Sequence, residues 1–403
     1  MSAVAIGENI FYIGAQHPER QLFDCLMPTP LGTTYNSYLL VGEEKAALID
    51  TVDPEFTSFL TESLEEQDVR KIDYVVILHT EQDHSGSIHA LLRRFPGAQL
   101  VATDKVAGLM SLHLGIPAES FLIKDEGEIL DLGGKRLRFH KIPFAHWPDN
   151  TMAYEEESGI LFSNDLFGSH FASGKVFSTN GHEVTDAAKA YFAEIMMPFT
   201  PQVKKYTEMV TALNPHMIAP SHGPIWNEPS VILKKYQKWT GDRVSKAVVI
   251  PYVSMHGSTH AMVERLALRL AAKGVSVICR DLGATSEALS LETGHAAFDL
   301  VNAAAVVFAS PTVLGGLHPA AAYCATVINA LKPKTRFVGY IGSWAWGSKA
   351  EEGLFAATAG LKKAQRLTTV MCKGHPTQED FDKLDLLADE LTEKISELGE
   401  GLL

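Results

Sequence analysis

Short apolar runs fill the first half of the chain. Those at 35–41, 45–50, 72–78, 99–102, 137–142, 151–154 and 160–163 have the length and β-branched content of strands. Longer amphipathic stretches at 55–66, 87–94, 104–114, 186–197 and 202–213 predict helices. Several strands follow one another with no helix between them, which predicts antiparallel pairs rather than simple alternation. Beyond 246 the pattern changes. Strands at 247–251, 275–280, 304–309, 336–341 and 366–371 go with helices at 259–272, 319–331, 350–362 and 378–398. Such alternation predicts a parallel sheet with helices on both faces. The change falls in Trp239-Thr240-Gly241-Asp242-Arg243-Val244-Ser245, so the expected domains are 1–245 and 246–403.

The strands of the first half end in chemistry. After 72–78 comes His79-Thr80-Glu81-Gln82-Asp83-His84, four metal-ligand side chains within six residues. His146 lies in Phe144-Ala145-His146-Trp147-Pro148-Asp149. Asp165 ends Ile160-Leu161-Phe162-Ser163-Asn164-Asp165, and His222 follows Met217-Ile218-Ala219-Pro220-Ser221. A single strand-end His is commonly a hydrogen-bonded core residue. Four such endings with compatible ligand types point to a metal site. Seven candidates exceed what one ion with an open position needs. Two ions about 3.5–4 Å apart, bridged by a carboxylate, would use them all. Asp165 is the natural bridge, because a carboxylate has two oxygens to share. The mix of imidazole and carboxylate suits iron or manganese as well as zinc.

Composition narrows the partners. The 403 residues are 46% hydrophobic and 21% charged, as in a folded globular protein. A net charge of −13 makes nucleic acid a poor partner. Cys25, Cys279, Cys324 and Cys372 form no CxxC pair, which argues against an iron–sulfur cluster or a disulfide framework. The N-terminus lacks a signal-peptide pattern, and no apolar run approaches the ~18–20 residues that span a bilayer. A cytoplasmic protein without a membrane partner is expected.

In an open parallel sheet, ligands sit beyond the carboxyl ends of the strands. Three such ends carry unusual segments. Ser254-Met255-His256-Gly257-Ser258-Thr259 offers hydroxyls and backbone N–H groups at a helix start, which suits a phosphate monoester. It matches neither the Walker loop nor GxGxxG. Ser310-Pro311-Thr312-Val313-Leu314-Gly315-Gly316 reads as a second loop. Gly342-Ser343-Trp344-Ala345-Trp346-Gly347-Ser348 reads as a third, with tryptophans to stack on a planar ring. Together they predict a flavin mononucleotide (FMN) site.

With these motifs in place, the chain resembles the flavodiiron proteins, or A-type flavoproteins, over nearly its whole length. The first half resembles the metallo-β-lactamase fold, whose zinc motif reads HxHxDH. Here Glu81 stands where that motif has its second His, which is the flavodiiron pattern and fits iron. The second half resembles flavodoxin. The implied fold is α/β: an N-terminal metallo-β-lactamase-like αββα sandwich plus a C-terminal flavodoxin-like doubly wound parallel sheet. The resemblance implies FMN and two irons. His79, Glu81 and His146 would hold one iron, Asp83, His84 and His222 the other, with Asp165 bridging. Two roles are open for His84, ligand or turned away to leave a free position. Tyr191, in a segment similar to one that places a tyrosine near the diiron site, is either a hydrogen-bond donor there or a core residue.

The implied activity is reduction of dioxygen to water, of nitric oxide to nitrous oxide, or both. Electrons would reach FMN from a separate small redox donor, a rubredoxin-like protein or a reduced deazaflavin. No rubredoxin or flavin-reductase extension is expected, and the assembly implied is a head-to-tail homodimer. The competing expectation is a zinc-dependent hydrolase of the metallo-β-lactamase type fused to a flavodoxin-like module. His89, His113, His140, His170, His182, His216 and His295 match no ligand pattern and carry no expected role.

Overall fold

A computed structural model describes residues 3–179, 181–285 and 287–403. The chain divides into two compact units. One comprises Met1–Phe23, Thr29–Phe192 and Phe199–Thr240. The other comprises Asp24–Pro28, Ala193–Pro198 and Gly241–Leu403.

The first unit is built on two sheets. One runs, in spatial order, through Val4–Gly7, Ile10–Tyr12, Tyr38–Val41, Ala46–Ile49, Tyr74–Val76, Gln99–Ala102 and Phe121–Ile123. Its first four strands pair antiparallel and its last four parallel. The second sheet runs Ile129–Asp131, Arg136–Lys141, Thr151–Glu155, Ile160–Asn164 and Met217–Pro220. Here the strands pair antiparallel until the final parallel pair. Ile10, Leu40, Ile49 and Val76 of the first sheet share one buried cluster with Leu137, Phe139, Phe162 and Ala219 of the second. Helices such as Thr57–Glu66 and Asp104–Leu114 belong to the same unit. The second of these ends as its sequence predicts. Thr103 accepts the Val106 N–H at its start, and Gly115 closes it at φ +65°.

The second unit carries a parallel sheet with Ser276–Asp281, Ser245–Tyr252, Ala303–Val313 and Phe337–Trp344 side by side, and Val370–Lys373 beyond. This is the flavodoxin-type strand order 2-1-3-4-5. Helices Ser258–Ala272 and Gln378–Glu397 share one apolar cluster with the strands. Among the described residues no helix is long and apolar enough to cross a membrane.

Some elements have too weak a pattern to be read. Strands Ile10–Tyr12 and Ile129–Asp131 have only three residues each, too few to display a period. Helix Ala288–Leu300 was not expected. It buries mostly small residues, Ala288, Thr293, Ala296 and Ala297, and carries Gly294 at its centre. The expected helix 186–197 is instead helix His182–Tyr191, a π-helical turn Phe192–Met196 and a 3-10 turn Met197–Phe199. The strand expected at 366–371 is split into Gln365–Arg366 and Val370–Lys373. The segment read as a loop at 310–316 is a hairpin. Strand Ala303–Val313 continues through it and pairs Thr312 with Leu317 and Val313 with Gly316. Leu314 and Gly315 form the two-residue turn, at φ +51° and +77°. Asn or Asp is the usual first residue of such a turn, so its sequence signal was absent.

Candidate metal centre and cofactor loops

The backbone leading to the HxExDH motif is fixed on every side. Ile77 N–H donates to Val101 O (2.9 Å), Leu78 N–H to Asp50 Oδ1 (2.8 Å), and Thr151 N–H to Leu78 O (3.0 Å). His79 leaves this anchored strand end fully buried. The short helix Gln82–Ser85 then carries Asp83 and His84, both buried. His146 sits in the turn after Arg136–Lys141, where Asn150 Oδ1 accepts its N–H (3.1 Å) and that of Trp147 (2.7 Å). Asp165 and His222 follow strands Ile160–Asn164 and Met217–Pro220. Gly223, at φ +76°, lets the His222 turn pack tightly, since a Cβ there would lie 2.0 Å from Ser169 Oγ.

These segments converge. His79, Glu81, His146 and Asp165 form one group of potential ligand atoms, and Asp83, His84 and His222 a second. The Asp165 carboxylate faces both. Its Oδ2 lies 3.1 Å from His146 Nε2 and 3.7 Å from His79 Nε2. Its Oδ1 lies 3.1 Å from His84 Nε2 and 3.6 Å from His222 Nε2. Glu81 Oε2 is 3.2 Å from His79 Nε2, and Asp83 Oδ2 is 3.1 Å from His222 Nε2. His84, for which two roles were open, turns its Nε2 into the cluster.

The residues fit a pair of cations. Both Asp83 oxygens, both His84 nitrogens and Asp165 Oδ1 are buried without a hydrogen bond, although ring nitrogens and carboxylate oxygens approach within 3.1–3.3 Å. The atoms point at a common centre rather than at one another. Buried polar groups left in this way call for an ion. The protonation pattern carries the same message. Burial opposes charge on His84, but Asp83 and Asp165 overcome it and push its pKa up to about 10. Burial likewise works against Asp83, which the charges of the neighbouring His84 and His222 bring down to about 2. Asp165 is held well below the usual carboxylate range by His84, His146 and His79, against its burial. A metal would supply the positive charge that these carboxylates now draw from protons.

A supporting layer fixes the ring orientations. Asp149 Oδ2 takes His79 Nδ1 (3.0 Å), Thr80 N–H (2.9 Å) and the Thr80 hydroxyl (2.8 Å). His222 Nδ1 donates to Thr34 O at 2.6 Å. Each bond directs Nε2 inward, as a carboxylate–histidine–metal arrangement requires. The motif reading assigned no role to Asp149, though it lies three residues after His146. His170 also went unassigned. It lies against His222, with ring centroids 5.2 Å apart, and burial together with the His222 charge holds its pKa well below the usual imidazole value. Tyr191 is buried, its ring 5.0 Å from His170 and 6.0 Å from His222. His89 instead bonds Leu114 O, His140 pairs with Glu126, and His295 with Glu292.

In the second unit the three cofactor segments meet at the carboxyl end of the sheet. Thr259 is buried at the start of helix Ser258–Ala272, its hydroxyl 3.2 Å from Ser343 Oγ. Thr312 Oγ1 lies 2.8 Å from Ser348 Oγ, and Lys349 N–H donates to Gly315 O (2.7 Å). Gly257, at φ +86°, has open space where a side chain would stand. Met255, Leu314 and Trp346 are exposed around these segments. Apolar side chains beside an open glycine turn and a helix N-terminus suit a flavin with a terminal phosphate.

Residues 33–223 match a family model described as "ODP family beta lactamase". The chain is 34% identical over 314 residues to coenzyme F420H(2) oxidase of Methanothermobacter marburgensis, covering 75% of this chain and 76% of that one. It is 31% identical over 356 residues to nitric oxide reductase of Moorella thermoacetica, covering 87% and 88%. Among solved structures, rubredoxin oxygen:oxidoreductase of Desulfovibrio gigas superposes with a TM-score of 0.92 at 28% identity, covering 98% of this chain and 99% of that one. The chain belongs to the flavodiiron protein family. Agreement with these oxidoreductases over three quarters or more of the chain, and with one solved structure over 98% of it, disfavours the hydrolase alternative. In this flavodiiron protein the β-lactamase-type half holds the candidate metal cluster and the flavodoxin-type half the cofactor segments.

Proposed function

We propose that this flavodiiron protein reduces dioxygen to water, nitric oxide to nitrous oxide, or both, drawing electrons from a small redox donor through FMN to a diiron centre. The observation that carries the reading is the Asp165 carboxylate, one oxygen toward His79 and His146 and the other toward His84 and His222. His79, Glu81 and His146 would hold one iron and Asp83, His84 and His222 the other, with Asp165 placed to serve both. When bound, a ferrous pair would supply two electrons together and FMN would be the source of further electrons.

The chain's own residues do the rest. Asp149 and the Thr34 carbonyl hold His79 and His222 in place. The buried walls keep bulk water away, so the fixed carboxylates and imidazoles act at low dielectric. Burial holds the Tyr191 phenol far above its ordinary pKa, so it stays protonated and serves as a donor to a ligand at the site. Ser254–Thr259 would take the FMN phosphate. Pro311–Gly315 and Ser343–Gly347, with Trp344 and Trp346, would flank the ring. The donor is a rubredoxin-like protein or a reduced deazaflavin. The four cysteines are free, which accords with work in a reducing cytoplasm.

Anaerobic turnover with dioxygen and with nitric oxide, side by side and with a chemically reduced donor, tests the activity. Elemental analysis is expected to give two irons per chain, and chromatography of the released flavin one FMN. Two zincs with full gas-reductase activity would remove the iron assignment, and FAD as the main flavin would remove the FMN one. We further propose a head-to-tail homodimer, in which the flavin of one subunit serves the irons of the other. Mixing an Asp165 variant with a Thr259 variant then restores activity through one intact pair. A fully active monomer would contradict it.

A further inference from the structure

We propose that His170 is a hydrogen-bond donor to the small molecule held at the Asp83–His84–His222 side of the centre. The proposal rests on the diiron reading above and adds a residue that no ligand pattern contains.

Three observations carry it. First, His170 is held by one nitrogen only. Its Nδ1 is 2.8 Å from Thr33 Oγ1, whereas Nε2 is buried with no hydrogen-bond partner. The ring is only 8% exposed, so water does not satisfy that nitrogen from outside, and a buried orphan of this kind costs stability unless something meets it. Second, the tautomer is set by the neighbour. The other acceptor within reach of the Thr33 hydroxyl, Thr34 O, is 3.5 Å away, too far for a strong bond. The hydroxyl therefore donates to Nδ1, and the proton of the neutral imidazole sits on Nε2 as a free donor. Third, the ring is placed beside the centre. It packs edge-on to His222 at 5.2 Å and to Tyr191 at 5.0 Å, and Phe23 covers it at 4.5 Å. Phe23 also meets His222 edge-on at 5.6 Å, so one aromatic wall encloses both imidazoles.

Both candidate reductions consume protons as well as electrons: four of each per dioxygen, two of each per pair of nitric oxide molecules. A neutral imidazole with a free N–H orients a ligand through its lone pair and stands where protons are needed.

Azide is the probe, because it binds metal and accepts a hydrogen bond without being reduced. The iron-loaded, FMN-containing protein is titrated with azide as the parent, His170→Phe and His170→Gln. Phe keeps the ring packing and loses both nitrogens. Gln places an amide N–H near the position of Nε2. The azide Kd is expected to rise about five- to tenfold in the Phe variant, the size of one net hydrogen bond. In the Gln variant it stays within about threefold of the parent, with iron and FMN content unchanged in both. The solvent isotope effect on turnover is expected to rise in the Phe variant and recover in Gln. Equal azide affinity in all three proteins overturns the proposal. So does loss of iron in both variants, which would make His170 a scaffold for His222. A parent protein that holds two irons but no azide also overturns it. A parent without two irons would instead fail the diiron reading itself.

Discussion

The two candidate sites are built in opposite ways. The metal cluster consists of largely buried side chains at strand ends, with the His79 and His222 rings oriented by Asp149 and the Thr34 carbonyl behind them. Asp149 alone accepts three hydrogen bonds for this purpose. The cofactor segments of the second unit are largely open. They rely on backbone turns, a helix start and a few hydroxyl pairs such as Thr259–Ser343. A small, highly charged ion needs fixed ligands and exclusion of water. A large cofactor with a flat ring and a phosphate tail supplies much of its own wall and needs only a seat for the ring and an anchor for its phosphate. Single substitutions should therefore be severe in the first site and graded in the second.

The sharpest break is Asp165→Ala. It is expected to lose at least one iron and nearly all gas reduction while FMN stays bound, as read by elemental analysis, gas consumption and flavin absorbance. Loss of flavin together with the metal would show that the two sites are not independent. Asp149→Asn should lower metal affinity about ten- to a hundredfold in a chelator competition, although Asp149 belongs to neither ligand group. In the other half, Thr259→Val should weaken FMN only about five- to tenfold, the scale of one hydrogen bond, with iron content unchanged. A hundredfold loss there would erase the contrast.

Glu194, in the second unit, separates burial from site chemistry. Burial raises its pKa from 4.5 to about 8. A carboxyl whose folded pKa is raised favours the fold most below 4.5, and that contribution is lost as pH rises through about 8. The melting temperature should therefore fall between about pH 5 and 8 and level off above that, and Glu194→Gln should flatten the fall by a few degrees. An unchanged slope would mean that the carboxyl is already solvated. Smallest of all, Leu314→Asn should stabilise the protein by up to about 1 kcal/mol in chemical denaturation, because Leu314 holds φ +51° while its side chain is 99% exposed.

The same contrast governs what could be read from the residues. His79, Glu81, Asp83 and His84 are legible because they are contiguous and follow an apolar strand. Asp165 and His222 repeat that grammar. Asp50 and the Thr34 carbonyl reach the cluster from distant segments, and His170 follows Asp165 by five residues, yet nothing in their local sequence marks them. Asp50 accepts the Leu78 N–H through a bond spanning 28 positions. In the second half the strand–helix alternation was visible, but helix Ala288–Leu300 was not, because alanine, threonine and glycine leave no clear apolar stripe. The hairpin around Leu314 was hidden by a residue that turn chemistry does not favour.

Two short pieces of the first half, Asp24–Pro28 and Ala193–Pro198, group with the second unit. Leu26, Met27, Pro28 and Glu194 line one cleft with Thr293, Gly294 and Ala297 of helix Ala288–Leu300. The Glu194 carboxyl occupies the space that a side chain at Gly294 would need, 2.7 Å from an ideal Cβ. Severing the gene after codon 245 would thus not release a self-contained flavodoxin cassette. The fragment would carry a bare helix flank whose cover is encoded more than two hundred and ten codons upstream of the cut in one piece and some fifty in the other, and transplanting the module into another reductase would require carrying both patches along.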